Sequence, residues 1–275
     1  MTDPHPVETE SLTKHFRHPL FPWRVRVEAL NDLSFHVRRG EVFGLLGPNG
    51  SGKSTTINLL LGLNRPTAGS VRLFGESPHR ISVKRRLGYL PEESRLYRFL
   101  DAEETLHFYG RLFGLDRGER RRRVAQLLAY VGLEREGKRP VAEYSKGMRR
   151  RVAIAQSLIN DPELVILDEP TSGMDPIGTA EVKELILQLK EKGKTVLLSS
   201  HQLADIEQVC DRVAILYSGR ELVTIDVADM LGRNGVTLQS FFLDTVEAAR
   251  KKRPETSGAS MSTGEGLEFL EDLND

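Results

Sequence analysis

Gly47-Pro48-Asn49-Gly50-Ser51-Gly52-Lys53-Ser54 decides how this chain is read. An apolar run, Val42-Phe43-Gly44-Leu45-Leu46, precedes it, and Thr55-Thr56-Ile57-Asn58-Leu59-Leu60-Leu61 follows with the pattern of a helix. Strand, glycine-rich loop and helix, with Lys-Ser closing the loop, is the order of a phosphate-binding P-loop. Glycines let successive backbone N–H groups turn into one concavity. The helix behind adds unpaired N–H donors and the positive end of its dipole. Lys53 is spaced to reach the β- and γ-phosphates and the Ser54 hydroxyl to ligate magnesium. The expected ligands are therefore a nucleoside triphosphate and Mg2+.

Working outward, the composition limits what surrounds this loop. The chain has 275 residues, enough for a full core in one domain or one with an appended subdomain. Lys and Arg total 39, as do Asp and Glu, so no global field draws the chain to nucleic acid or anionic lipid. Nucleic acid is not expected as a partner. Cys210 is the single cysteine, which excludes an internal disulfide and a cysteine metal cluster. The polar start, Met1-Thr2-Asp3-Pro4-His5-Pro6, does not resemble a secretory leader. No apolar run approaches the ~20 residues of a membrane span. A cytoplasmic location is expected, with any membrane role supplied by a partner.

The patterning predicts an α/β chain. Residues Val7 to Val37 alternate as strands, with Val25, Val27, Leu30, Leu33, Phe35 and Val37 as candidate inward positions. Arg17-His18-Pro19-Leu20-Phe21-Pro22-Trp23-Arg24 reads as a long hairpin loop within them. Short strands are expected at Ser70–Phe74 and Leu87–Leu90. From Ala102 the period becomes helical: Leu106, Tyr109, Leu112 and Phe113 share one face, and Val124, Leu127, Leu128 and Val131 another. A third helix starts near Gly147. The continuous apolar run Leu164-Val165-Ile166-Leu167 then marks a buried parallel strand. A helix from Pro176 to about Lys192, a strand Thr195–Leu198, a helix near Gln202 and a strand Arg212–Tyr217 complete the alternation. Leu238–Ala249 reads as an amphipathic helix. Beyond it the composition is that of a linker and a solvated acidic tail, with a docking peptide as the alternative.

Asp168-Glu169 closes the Leu164–Leu167 run. An acid at the carboxyl end of a core strand beside the P-loop strand is where a magnesium-associated carboxylate belongs, and Asp168 fits that place. Glu169, one residue on, can accept a proton from an attacking water. Asp175, just before Pro176, reads as a helix N-cap. Two basic runs, Arg120-Arg121-Arg122-Arg123 and Arg149-Arg150-Arg151, read as solvated helix faces.

Tyr144-Ser145-Lys146-Gly147-Met148 brings the order to P-loop, Ser-x-Gly helix start, Asp168-Glu169 and His201. In that order the chain resembles the ATP-binding subunit of an ABC transporter, over roughly residues 7 to 225. The resemblance implies a P-loop NTPase (RecA-like) α/β core, an N-terminal antiparallel β subdomain and an inserted α-helical subdomain. It sets the ATPase domain at 7–231 with the insertion at about 92–160, a C-terminal helix at 232–250 and a flexible acidic tail at 251–275.

The resemblance also implies roles. Gly47, Pro48, Asn49, Gly50, Ser51, Gly52, Lys53, Ser54 and Thr55 bind nucleotide, with Phe16 stacked on the base. Ser54 and Asp168 hold Mg2+, with Glu92 a further candidate. Lys53, Glu169 and His201 are catalytic, His201 contacting the γ-phosphate. Ser145, Lys146 and Gly147 form the signature, acting on the nucleotide of a second subunit. The family's Leu-Ser-Gly-Gly-Gln here carries lysine third and methionine last, so Lys146 either adds charge to the phosphate or faces solvent. Asp175 belongs to the D-loop at the dimer seam. In Gly88-Tyr89-Leu90-Pro91-Glu92-Glu93, Glu92 stands where a glutamine couples the site to a membrane subunit. The implied partners are an integral membrane permease and a second ATP-binding subunit, expected as a homodimer at the cytoplasmic face of the cell membrane. The Tyr-Ser-Lys-Gly-Met signature is most similar to bacterial multidrug and antibiotic exporters. The alternative is a non-transport ABC ATPase of DNA repair, chromosome structure or translation, which usually carries a coiled-coil insertion, zinc cysteines or a second cassette.

Overall fold

The structure, a computed structural model, describes residues 5–16, 27–232 and 237–251. The expected hairpin loop at 17–24 and almost all of the expected tail lie outside those residues.

Two sheets organise the described residues. The smaller is antiparallel: β1 (Val7–Phe16) pairs with β2 (Val27–Leu33), with the short β3 (His36–Val37) and with β5 (Ala68–Leu73). The larger has six strands in the order β10-β9-β4-β8-β7-β6. Its members are β4 (Val42–Leu46), β6 (Leu87–Leu90), β7 (Leu164–Asp168), β8 (Thr195–Ser200), β9 (Arg212–Tyr217) and β10 (Arg220–Asp226). All neighbours run parallel except β10, which returns antiparallel along β9.

Why the central strands are largely apolar follows from their two faces. Val42, Leu46, Val165, Leu167, Val196, Leu198, Val213 and Ile215 point into one core. Phe43, Leu45, Leu164, Ile166, Leu197, Ala214 and Leu216 point into the other. Successive side chains alternate sides, so burial on both sides favours apolar residues along most of each strand, with buried Asp168, Ser199 and Ser200 at the carboxyl ends. Each apolar side chain so buried stabilises the fold by about 1.5–3 kcal/mol against exposure.

The second core lies against the antiparallel sheet and α1 (Lys53–Leu60). The first is covered by α3 (Ala102–Leu112), α4 (Arg117–Tyr130), α5 (Lys146–Ser157), α6 (Pro176–Glu191) and α7 (Leu203–Val209), with α8 (Val227–Leu231) and α9 (Leu238–Lys251) at its edge. A single turn, α2 (Ile81–Lys84), precedes β6. Helices α3, α4 and α5 stand between β6 and β7 in the chain. Local chemistry starts them. Asp101 and Glu104 form a capping box on α3, with Asp101 Oδ1 accepting from Glu104 N at 2.7 Å. Asp116 accepts from Gly118 N and Glu119 N to open α4.

The structure corrects several expectations. Val27, the first described residue of β2 and paired with Phe16, is 61% exposed, not inward. Leu112 and Phe113 are exposed at the end of α3, while Leu106 and Val124, Leu127, Leu128 and Val131 are buried as expected. Strand β10 and helix α8 were not legible, since β10 is half-buried along its length and shows no alternation. Strand β7 is not beside β4: β8 lies between them. Arg150 is not on a solvated face. Its side chain is buried at 8% exposure, whereas Arg121 and Arg122 are exposed as expected.

Candidate functional site

Strand β4 delivers the chain to the loop at 47–52, and α1 leaves from it. Gly52 is the N-cap of α1, with φ +109° and no side chain capping the helix. The first amides of α1 therefore have no protein side-chain cap, and no acid sits in the first turn. Gly47 is required by space: a Cβ there would lie 2.4 Å from the Leu216 carbonyl oxygen. Ser51 N donates to Pro48 O at 3.1 Å, closing the turn. Ser51 Oγ is buried without a hydrogen-bond partner, an unmet polar group in a loop of converging amides. These features fit an anion such as a phosphate chain.

The loop forms one wall of a cavity of about 650 Å³. Asn49, Gly50, Ser51, Gly52, Lys53, Ser54 and Thr55 line it, with Phe16 and Val27 at one side and Glu92, Glu169, Ser172 and His201 at the other. Of the expected set, Phe16 is 39% exposed, with Lys14 Nζ 5.1 Å from its ring centroid. Gly47 and Pro48 shape the turn without lining the cavity, their carbonyls accepting from Lys53 Nζ at 2.7 and 3.4 Å.

At the far wall Glu169 lines the cavity, and Asp168, the residue before it, does not. Asp168 ends β7, and its Oδ1 accepts from Ser199 Oγ at 2.6 Å. Burial pushes the Asp168 carboxyl above its ordinary range, the Glu92 and Glu169 charges add to this, and the Ser199 hydrogen bond and Lys53 oppose it. Glu169 has φ +46°, a left-handed backbone that non-glycine residues rarely hold. That bend turns its side chain to the cavity: Oε1 lies 3.4 Å from Lys53 Nζ and Oε2 2.8 Å from His201 Nδ1. The Glu169 carboxylate is buried, and His201 is partly exposed. A carboxylate so held between an ammonium and an imidazole is positioned to take a proton.

Because β8 separates β4 from β7, Ser199 of β8 reaches both acids. It donates to Asp168 and accepts from Glu169 N at 2.9 Å. Sequence reasoning passed over Ser199 as spacing before His201, and its burial in a strand gave no signal. It also missed Arg150. From α5, Arg150 donates to the carbonyls of Pro91, Glu92, Asp168, Glu169 and Pro170. Burial lowers its guanidinium pKa to about 10, with Asp168, Glu92, Glu169 and Tyr89 opposing, so it stays charged at neutral pH.

The signature residues do not join the loop within one chain. Ser145 caps α5, accepting from Met148 N at 3.1 Å, and is exposed. Lys146 neither lies free nor meets the first cavity: its Nζ donates to Gly173 O at 2.7 Å. It lines an adjoining cavity of about 420 Å³ with Glu93, Ser94, Arg149, Arg150 and Met174, and with Glu92 and Ser172, which the two cavities share. Asp175 caps α6 as expected, accepting from Gly178 N at 2.7 Å. Among the described residues no cluster of three or more His, Cys, Asp or Glu could hold a metal alone. Ser54 and Asp168 therefore fit only a cation that keeps most of its ligands from phosphate and water, as Mg2+ does.

Fold and site together define a P-loop NTPase. A family model described as ABC transporter matches residues 30–172, more than half of the chain. The chain belongs to that family, with the sequence and fold of its ATP-binding subunits. An ABC transporter ATP-binding protein of Synechocystis sp. is 47% identical over 230 residues, covering 83% of this chain and 65% of its own length. The Nod factor export ATP-binding protein I of Ralstonia nicotianae is 39% identical over 243 residues, covering 84% of this chain and 75% of that protein. A solved dimeric ATP-binding cassette, in a post-hydrolysis state with ADP and Pi, superposes with TM-score 0.70 at 26% identity, covering 80% of this chain and 98% of that one.

Proposed function

We propose that this protein binds and hydrolyses ATP to power export through a separate membrane permease. The observation that carries it is that the first cavity gathers the loop, Lys53, Glu169 and His201 but none of Ser145, Lys146 and Gly147 at the start of α5. We read it as one half of a site. Two copies packed head-to-tail would bring the signature of each against the loop of the other, and a solved relative is dimeric.

In this reading the loop amides of residues 47–55 and Lys53 hold the triphosphate, and Phe16 stacks on the base. Stacking discriminates weakly between bases, so ATP and GTP both fit Phe16. Ser54 and Asp168 would hold Mg2+, with Glu92 a further candidate, and the ion would supply charge neutralisation to the phosphates. Glu169 accepts the proton of the attacking water, and His201 holds Glu169 and faces the γ-phosphate. Residues 7–231 form the ATPase unit, with the insertion at about 92–160 and α9 appended to it.

The partner reading rests on the surface beyond Glu92. Tyr97, Phe99, Leu112 and Phe113 are exposed, and Tyr97 packs its ring 5.7 Å from Phe99 and 6.0 Å from Phe108. An exposed aromatic patch of this kind favours a protein partner. Among the described residues no helix is long and apolar enough to cross a membrane. A permease docked there places the chain peripherally at the cytoplasmic face. The export direction follows the names of relatives such as the Nod factor export protein.

Glu169→Gln tests the assignment. Turnover should fall by roughly 10²–10⁴-fold, the contribution of a general base. Nucleotide binding should persist, and the dimer should last longer in size-exclusion runs with ATP. Unchanged turnover would remove Glu169 as the base.

A further inference from the structure

Arg149, Arg150 and Arg151 are adjacent in sequence, yet the fold uses the middle one differently. Arg151 bonds at the surface of the helical layer, to Val131 O at 3.2 Å and near Glu181. Arg150 turns inward and spends its donor fork on two chain segments, 91–94 and 168–170. Nη1 reaches Pro91 O at 2.7 Å, Glu92 O at 2.9 Å and Ser94 Oγ at 3.3 Å. Nη2 reaches Asp168 O at 3.0 Å and Glu169 O at 2.7 Å, and Nε reaches Pro170 O at 2.8 Å. None of these acceptors is a carboxylate oxygen. A buried guanidinium is costly unless its hydrogen bonds are met, and here five backbone carbonyls and a hydroxyl meet them in a planar, rigid array.

The same array explains how Glu169 keeps its backbone. A left-handed non-glycine residue costs on the order of 1–3 kcal/mol and persists only where its surroundings over-determine it. Glu169 is held from both sides: Ser199 Oγ takes its N–H at 2.9 Å and Arg150 Nη2 takes its carbonyl at 2.7 Å. Without that bend its side chain would not meet Lys53 and His201.

We propose that Arg150 is a positioning residue that holds the Glu169 peptide in its left-handed bend and ties it to the 91–94 loop and to α5. The proposal rests on the reading of Glu169 as the proton acceptor. Its consequence is mechanical. The 91–94 loop leads into the exposed aromatic patch, and α5 begins at Ser145, five residues before Arg150. A shift of either element reaches Glu169 through one side chain, so partner docking and dimer closure are both felt at the base.

The test is steady-state ATPase kinetics on the full chain with Arg150→Lys. Lysine keeps the charge but is a point donor that cannot span both segments. The expected result is a kcat loss of about tenfold or more, as for small misplacements of a reacting group, with KM for ATP and binding of a fluorescent ATP analogue within about twofold. In a Glu169→Gln background, where the positioned group is gone, Arg150→Lys should cost less than about twofold further. An unchanged kcat, a rise in KM alone, or an equal loss in both backgrounds would overturn the proposal. If Arg150→Lys fails to fold, Arg150→Gln, which leaves no buried charge, is expected to show the same split. Failure of both to fold makes Arg150 a folding residue and also overturns it. Full turnover in Glu169→Gln alone overturns the base assignment and the positioning role together, whereas the other outcomes touch only Arg150.

Discussion

The loop at 47–55 and the seat of Glu169 face the same cavity but are built in opposite ways. The loop is contiguous: its donors are backbone amides, its shape is set by glycines, and the helix that follows supplies the rest. The seat of Glu169 is assembled from β7, β8, α5 and the 91–94 loop, by Ser199 and Arg150. The first depends on local backbone freedom. The second depends on long-range hydrogen bonds that form only when the fold closes. One is therefore set largely by its own residues and fragile to a single methyl where β9 lies against it. The other tolerates local change and is sensitive to distant side chains.

The sharpest break in the comparison is Gly47→Ala. The added Cβ would sit 2.4 Å from the Leu216 carbonyl oxygen, a backbone atom of β9 that cannot swing away. Strain of about 1–3 kcal/mol must shift the loop, so affinity for a fluorescent ATP analogue should fall roughly 10–100-fold. Wild-type affinity would show that the loop's geometry is not set by this contact.

Next is Ser199→Ala, which leaves the loop untouched and removes one hydroxyl from the seat of Glu169. It strips Asp168 Oδ1 and Glu169 N of their shared partner. Unpaired buried groups cost about 1–3 kcal/mol each. Turnover should drop about tenfold while nucleotide affinity stays within about twofold. A change in affinity without a change in kcat would merge the two regions into one.

The smallest effect concerns Asp168, whose carboxyl is held above its ordinary range mainly by burial. A raised folded-state pKa makes ionisation harder in the folded chain. Stability is thus greater at low pH and is lost as pH rises through the folded value. Asp168→Asn keeps an acceptor for Ser199 and removes the charge. Without divalent cations its Tm at neutral pH should exceed wild type by roughly 2–4 °C, about 1 kcal/mol for a domain of this size. The advantage should shrink as pH falls toward the ordinary aspartate range. A pH-independent difference would mean that the charge is not the cause.

Legibility followed the same division. The loop, the strand end Asp168-Glu169, the cap at Asp175 and the helix start at Ser145 were readable, because each is a local pattern of residue types. The helical layer was readable except where α3 ends, since periodicity does not say that Leu112 and Phe113 leave the core. Strand β10 was missed because an edge strand half-buried on both faces has no alternation to detect. Arg150 was misread because three adjacent arginines on a helix point in three directions, and only the packing of α5 decides which one enters the protein.

By itself the sequence determined the chemistry: a triphosphate loop, paired acids and a signature that belongs to an ABC ATP-binding subunit. These are properties of short segments whose backbone and side chains act within a few residues. The tertiary structure decided how the parts meet. It placed β8 between the P-loop strand and the Asp168 strand, making Ser199 a bridge, and it turned Arg150 inward to hold Glu169. It also set Ser145 and Lys146 apart from the loop of their own chain. Such relations depend on strand order and helix packing, which arise from burying two apolar faces of one sheet and leave no mark on the spacing of residues along the chain.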